Sequence, residues 1–290
     1  MESCLGNKSA KRAWGDTMVM CRTVLKRMLL SALFLLMVAI VPLNGTAEVR
    51  HGVLSRPDIV FLNSPEEGFF SKTLDFHGIP IKAHAVVTDE ALLAAYDLLN
   101  LLLTNLLVCQ PIVLSNLVAA RVELHIIGRN QVTTDLPEWR KDKGKPIAEY
   151  KGLTRDERTR GMGGRLTSCG EENLLKLEQD RYHGRDICVH EFAHCIRNFG
   201  ISHSLRAKFD EQYRRSLGDG LWKSSYAGSN PDEFFAELTM WYFGTHGDLG
   251  MIGPKPENGP EGLKRYDPEA FSLFEEFYRG KISMPGDLHQ

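Results

Sequence analysis

The chain has 290 residues, 35 Lys+Arg against 37 Asp+Glu, 43% hydrophobic residues and a mean hydropathy of -0.23. This composition excludes collagen-like, low-complexity and fully disordered chains, and a formal charge of -2 lacks the basic excess of a nucleic-acid binder. The near-neutral total hides an asymmetry, because residues 1–47 carry six Lys/Arg against two acids and the other 243 residues a net of -6.

The basic segment runs into residues 28–41, MLLSALFLLMVAIV, which Pro42 closes and small residues follow as far as Ala47. Basic stretch, short apolar run and small residues describe a secretory signal cut after Ala47. A membrane-spanning helix needs about 20 apolar residues. The long basic stretch leaves a signal anchor, and so a type II membrane-anchored protein, as the alternative. Residues 48–290 read as a single domain that is secreted, monomeric and free of the membrane once the signal is removed. Four cysteines lie in it, Cys109, Cys169, Cys188 and Cys195, an even number that predicts disulfide bonding without fixing the pairing.

Residues 79–87 alternate and are rich in branched side chains, predicting a strand. Residues 89–107 follow as a core-packing helix, its polar Asp97, Asn100, Thr104 and Asn105 grouped on one side and Asp89-Glu90 at its N-terminus. A shorter helix is expected over 113–120, a strand over 121–128 and a surface loop or lid over 131–154. The glycine-rich stretch 161–164 carries no phosphate-loop signature and suits an edge against which an extended peptide pairs. Glu171-Glu172 reads as a solvated turn, and His77, His84 and His125 as ordinary strand residues. Helices are predicted over 186–199, 204–216, 231–243 and 268–278. Early strands and late helices make the class α+β.

The chemistry concentrates at Val189-His190-Glu191-Phe192-Ala193-His194. H-E-x-x-H on a helix sets two imidazoles one turn apart, able to hold zinc, beside a glutamate that can act as general base. Stepping about 100° per residue from Cys188 puts His190, Glu191 and His194 near 200°, 300° and 240°, opposite an apolar face. Cys195 points away from the proposed metal. Catalytic zinc needs a third protein ligand. Six residues past His194 stands Gly200, so the ligand is sought on a following helix.

Asn230-Pro231 is a helix start, and Glu233 and Glu237 lie one turn apart behind it. One can bind metal while the other orients a liganding imidazole. Glu233 is favoured as the ligand. Glu237 competes for that role, and a capping box with Asn230 is the structural alternative for Glu233.

HEFAH, then Tyr226, six residues and EFFAE resembles the anthrax lethal factor type of zinc metallopeptidase, to which bacterial Pro-Pro endopeptidases also belong. The resemblance covers roughly residues 161–242. It implies a zincin-like metallopeptidase domain with a small N-terminal strand/helix part, an active-site helix and a helical C-terminal part. It also implies one zinc ion on His190, His194 and Glu233, Glu191 as activator of water, Tyr226 as stabiliser of the oxyanion, and Glu237 in the family's second acidic position. Nothing resembles the additional domains of the large toxin. The expected activity is metal-dependent hydrolysis of peptide bonds in a peptide or protein substrate. The alternative is a secreted toxin-like or binding module that keeps zinc for structure, which would require a fourth ligand such as His183 or His203.

Overall fold

A computed structural model of the protein describes residues 56–247 and 256–282. The expected signal, its cut after Ala47 and the first residues of the expected domain lie outside the described residues.

The fold is mixed α+β, built on one five-stranded sheet with strands in sequence order. Strands β1 (Val60–Glu66) and β2 (Phe70–Phe76) form an antiparallel hairpin, and β2 continues antiparallel into β3 (Ile79–Ala83). His77 and Gly78 make the second turn with φ of +49° and +93°, the geometry that matches the twist of paired strands. Helices α1 (Asp89–Cys109) and α2 (Pro111–Ala119) carry the chain across to β4 (Glu123–Ile127), which is parallel to β3. Three short 3-10 turns and a one-turn helix α3 (Arg155–Arg158) lead to β5 (Leu166–Gly170), parallel to β4. By length and composition α1 is apolar enough to cross a membrane, yet Ala91, Leu92, Ala95, Leu99, Leu103 and Leu106 are buried as it packs on β2 and β3.

After β5, a one-turn helix α4 (Glu171–Leu174) precedes α5 (Ile187–Cys195), α6 (His203–Gly218), α7 (Pro231–Phe243), α8 (Pro260–Tyr266) and α9 (Pro268–Tyr278). The helical half closes on an aromatic core in which Phe209 meets Phe235 edge-on at 4.8 Å and Trp222 meets Trp241 at 5.2 Å. Cys169 at the end of β5 is disulfide-bonded to Cys188 in the first turn of α5. That bond fastens the H-E-x-x-H helix to the sheet edge. Cys109 is free and exposed, and Cys195 is free and buried.

Several expected boundaries move. The strand expected over 79–87 stops at Ala83, where the chain turns and the Val87 N–H donates to the His84 carbonyl. The helix expected to reach residue 199 is α-helical only to Cys195 and ends in a π-helical turn, Ile196–Gly200. Gly200 lies against α2, where a Cβ would stand 3.0 Å from Val113, and its carbonyl accepts from Asn116 at 2.9 Å. Glu171 and Glu172 are buried rather than solvated. Glu171 accepts from the backbone N–H groups of Thr88 and Arg129, both at 3.0 Å, and Glu172 pairs with Arg160 at 2.7 Å. They pin the starts of α1 and α4 to the loop after β4.

His125 is more than a strand residue. Its ring lies 2.6 Å from Glu138 and 3.0 Å from Glu123, and 4.4 Å from the Phe70 ring, while Lys82 bridges Glu66 and Glu123 at 2.7 Å each. Burial opposes charge on the imidazole, but hydrogen bonds to Glu123 and Glu138 outweigh it and raise the His125 pKa. The hydrogen bond from His125 leads the effects on Glu123, and with Lys82 it overrides burial and brings that carboxyl down to about 2.

Two measurements follow. The raised histidine contributes stability that is complete below its unfolded pKa of about 6.5 and lost as pH rises through its folded value. The depressed Glu123 contributes stability that is complete above its unfolded pKa and lost as pH falls towards about 2. Denaturant melts as a function of pH should therefore place the full contribution of this cluster between about pH 4.5 and 6.5, and His125→Gln should flatten the alkaline limb. Replacing Cys169 and Cys188 together by Ser should cost about 3 kcal/mol of unfolding free energy, the loop-closure value for a 19-residue separation.

Candidate metal centre and cleft

The site is assembled from α5, α7 and the strip leading into β5. Helix α5 begins where Asp186 caps it, accepting from the Val189 N–H at 3.0 Å, and where buried Asn173 accepts from Ile187 at 2.9 Å. Phe192, Ala193 and Cys195 face the core, so His190, Glu191 and His194 face the cleft. The Cys195 thiol lies 3.0 Å from the Gly164 carbonyl, and burial pushes its pKa up to about 12.

Helix α7 begins at Asn230, whose side chain accepts from the Glu233 N–H at 2.9 Å, with Pro231 in the first helical position. The capping alternative for Glu233 is resolved by division of labour. Its backbone serves the cap, while its side chain reaches both histidines.

His190 Nε2, His194 Nε2 and Glu233 Oε2 stand 3.1, 3.2 and 3.4 Å apart in pairs. Two lone-pair nitrogens and a carboxylate oxygen converge on one point, and the buried Glu233 Oε2 makes no well-formed hydrogen bond. These three residues form a group that can hold a metal ion. Neither His183 nor His203, both exposed, belongs to it. Burial brings the His190 pKa down to about 4, which keeps its ring neutral and able to ligate at pH 7. Burial would raise that of Glu233, but the two imidazoles beside it, His190 at 3.1 Å and His194 at 3.4 Å, outweigh it and hold the carboxyl well below the usual range.

Behind the triad lies Glu237, 1% exposed. One of its oxygens is 3.0 Å from His190 Nδ1 and also meets Arg185, and the other is 2.7 Å from His246 Nε2. The His246 ring stacks on Trp241 at 3.3 Å. Glu237 thus lies beside His190 and does not join the group that can hold a metal. Arg185 and His246 escape a reading of the sequence, since neither belongs to a motif and only folding brings them to Glu237.

The cleft has a volume of about 800 Å3. Glu191 opens onto it, accepts a hydrogen bond from the Gly163 N–H, and has its pKa pushed up to about 7, chiefly by burial. Gly161 and Gly163 are required by this proximity, because a Cβ would lie 2.4 Å from Ile187 at the first and 3.0 Å from His194 at the second. Between them Met162 pairs antiparallel with Ser168 of β5 through both backbone groups. Tyr226, 40% exposed, donates to Glu233 Oε1 at 3.0 Å, and its ring stacks towards His190 at 6.1 Å. Burial and the nearby Glu233 raise its pKa, so the hydroxyl keeps its proton at neutral pH.

A divalent transition metal at a hundredfold excess over its Kd should raise the unfolding free energy by about 2.7 kcal/mol, a shift that His194→Ala should abolish in thermal melts. Glu237→Ala, which strands Arg185 and His246, should cost about 3–5 kcal/mol in denaturant unfolding without metal. No family model and no curated protein matches this chain.

Proposed function

We propose that the protein is a secreted, single-zinc endopeptidase of zincin-like fold, with a site of the lethal factor type. The observation that carries this reading is the triangle of His190, His194 and Glu233. Its sides of 3.1 to 3.4 Å agree with the edge of about 3.3 Å expected for tetrahedral ligands at zinc bond lengths. Two imidazoles and a carboxylate, with no fourth protein ligand among the described residues, suit a catalytic ion better than a structural one. Zinc held by His190, His194 and Glu233 would supply Lewis-acid polarisation of a carbonyl and a lowered pKa for water.

The protein's own groups divide the remaining work. Glu191 takes the proton from the attacking water on its carboxylate and passes it to the leaving amine. Its desolvated surroundings raise its affinity for that proton, and the Gly163 N–H orients the carboxylate. Tyr226 turns its hydroxyl from Glu233 towards the carbonyl oxygen and donates a hydrogen bond as negative charge develops there. Glu237 fixes the ring of His190, and the strip 161–164 offers main chain alongside which an extended peptide can lie. The Cys169–Cys188 disulfide is in keeping with an oxidising, extracellular setting.

Peptide-library cleavage by the purified protein, with and without chelator, tests the reading. Glu191→Gln should lower kcat by at least about 100-fold while zinc remains bound, and Tyr226→Phe should lower it by about 100-fold with little change in zinc content. A protein that purifies without zinc, or a Glu191→Gln variant as active as the wild type, would overturn it.

A further inference from the structure

Most charges in the cleft are already engaged. Arg185 is held by Glu237, while Glu233 and the two histidines form the metal group. Arg158 is different. It lines the cleft at the end of α3, is exposed, and has no ion pair among the described residues. Its guanidinium has a single ring partner, Tyr150, whose centroid is 5.8 Å away, and Tyr150 lines the same cleft. The group is also near enough to the Tyr226 hydroxyl to oppose part of the rise in that residue's pKa.

The backbone carrying this arginine is anchored on every side. Thr154 and Glu157 cap α3 reciprocally, with the Glu157 carboxylate accepting from the Thr154 N–H at 2.8 Å. Arg155 is buried, stacks 3.9 Å over Trp139 and pairs with Asp142 at 2.7 Å. Thr159 accepts from the Gly161 N–H at 3.0 Å, and Arg160 grips Glu172 with both arms at 2.7 Å. An unpaired cation on so firm a support, facing an apolar ring and an open cleft, is arranged for a planar anion. Guanidinium matches carboxylate with two parallel hydrogen bonds.

We infer that Arg158 is a specificity-determining residue that recognises a carboxylate of the peptide bound in the cleft, with Tyr150 packing beside it. This rests on the proposed peptidase reading. The carboxylate is supplied either by an Asp or Glu side chain or by the substrate's own C-terminus.

Paired peptides differing only as Glu/Gln at each position, and paired free acids and C-terminal amides, separate the two sources. For the wild type, one position or the terminus should show a preference for the anionic member of about tenfold in kcat/KM, declining with added salt. Arg158→Ala should bring that ratio close to one. Arg158→Glu should invert it, favouring Lys over Gln at the same position. The same pairs are measured for binding to the Glu191→Gln full chain, so that recognition is read apart from turnover. Discrimination in binding with no cleavage by the wild type would leave the inference standing and remove the peptidase reading. Cleavage or binding indifferent to peptide charge, or a preference unchanged in both Arg158 variants, would overturn the inference whatever the fate of the peptidase reading.

Discussion

One buried carboxylate, that of Glu237, ties the site together. It sits in α7 out of reach of water, bonds Arg185 from the segment before α5 and His246 from beyond α7, and lies 3.0 Å from His190 Nδ1 of α5. A lone carboxylate at that depth would be costly, and the cationic Arg185 and the ring of His246 offset that cost. Glu237 works beside the apolar packing of the two helices that carry His190, His194 and Glu233, in which Phe192, Ala193, Phe234 and Leu238 share one core. Polar networks of this kind are all-or-nothing, because a half-satisfied member is worse than an apolar one.

The same economy recurs away from the cleft. Glu171 is caged by main-chain N–H groups from two loops, and His125 stands between Glu123 and Glu138. Glu171 joins segments far apart in sequence where the sheet gives way to helix, and His125 ties β4 to the 3-10 turn at Glu138. Apolar packing supplies the bulk of the fold through α1 and the aromatic core of α6, α7 and α9. The buried charges fix the register between those blocks.

How much of this could be read from the residues varies by kind of signal. The H-E-x-x-H face, the Asn230-Pro231 helix start and the pairing of Glu233 with Glu237 depend on helical period and capping chemistry. Both are local, and the helices lie where the pattern places them. The β1–β2 hairpin has no such mark. Pro65 interrupts the first strand, and in the second the buried positions include Lys72, whose ammonium is neutralised by Asp89 and the Val87 carbonyl. Strand β5 is five residues long with a polar Thr-Ser pair that is buried all the same. Glu171, Glu172 and His125 look like surface residues because their partners come from 42, 12 and 13 positions away. Burial of charge is decided by tertiary partners, which one-dimensional patterns do not display.

Gly161 and Gly163 bring main chain to within van der Waals range of Glu191 and His194. Much of one wall of the cleft is therefore made of peptide groups, anchored to β5 and to Thr159, with Met162 the side chain between the two glycines. A molecule entering from solvent meets a wall of fixed shape on that side. Another part of the rim, formed by Tyr226 and the serines near it, is built from side chains. Adaptation to different guests, whether by natural variation or by engineering, falls to that side-chain rim and to the tip of α3. At Gly161 that wall admits no side chain, since a Cβ there would lie 2.4 Å from Ile187, and the backbone acts as a gauge that a guest must fit.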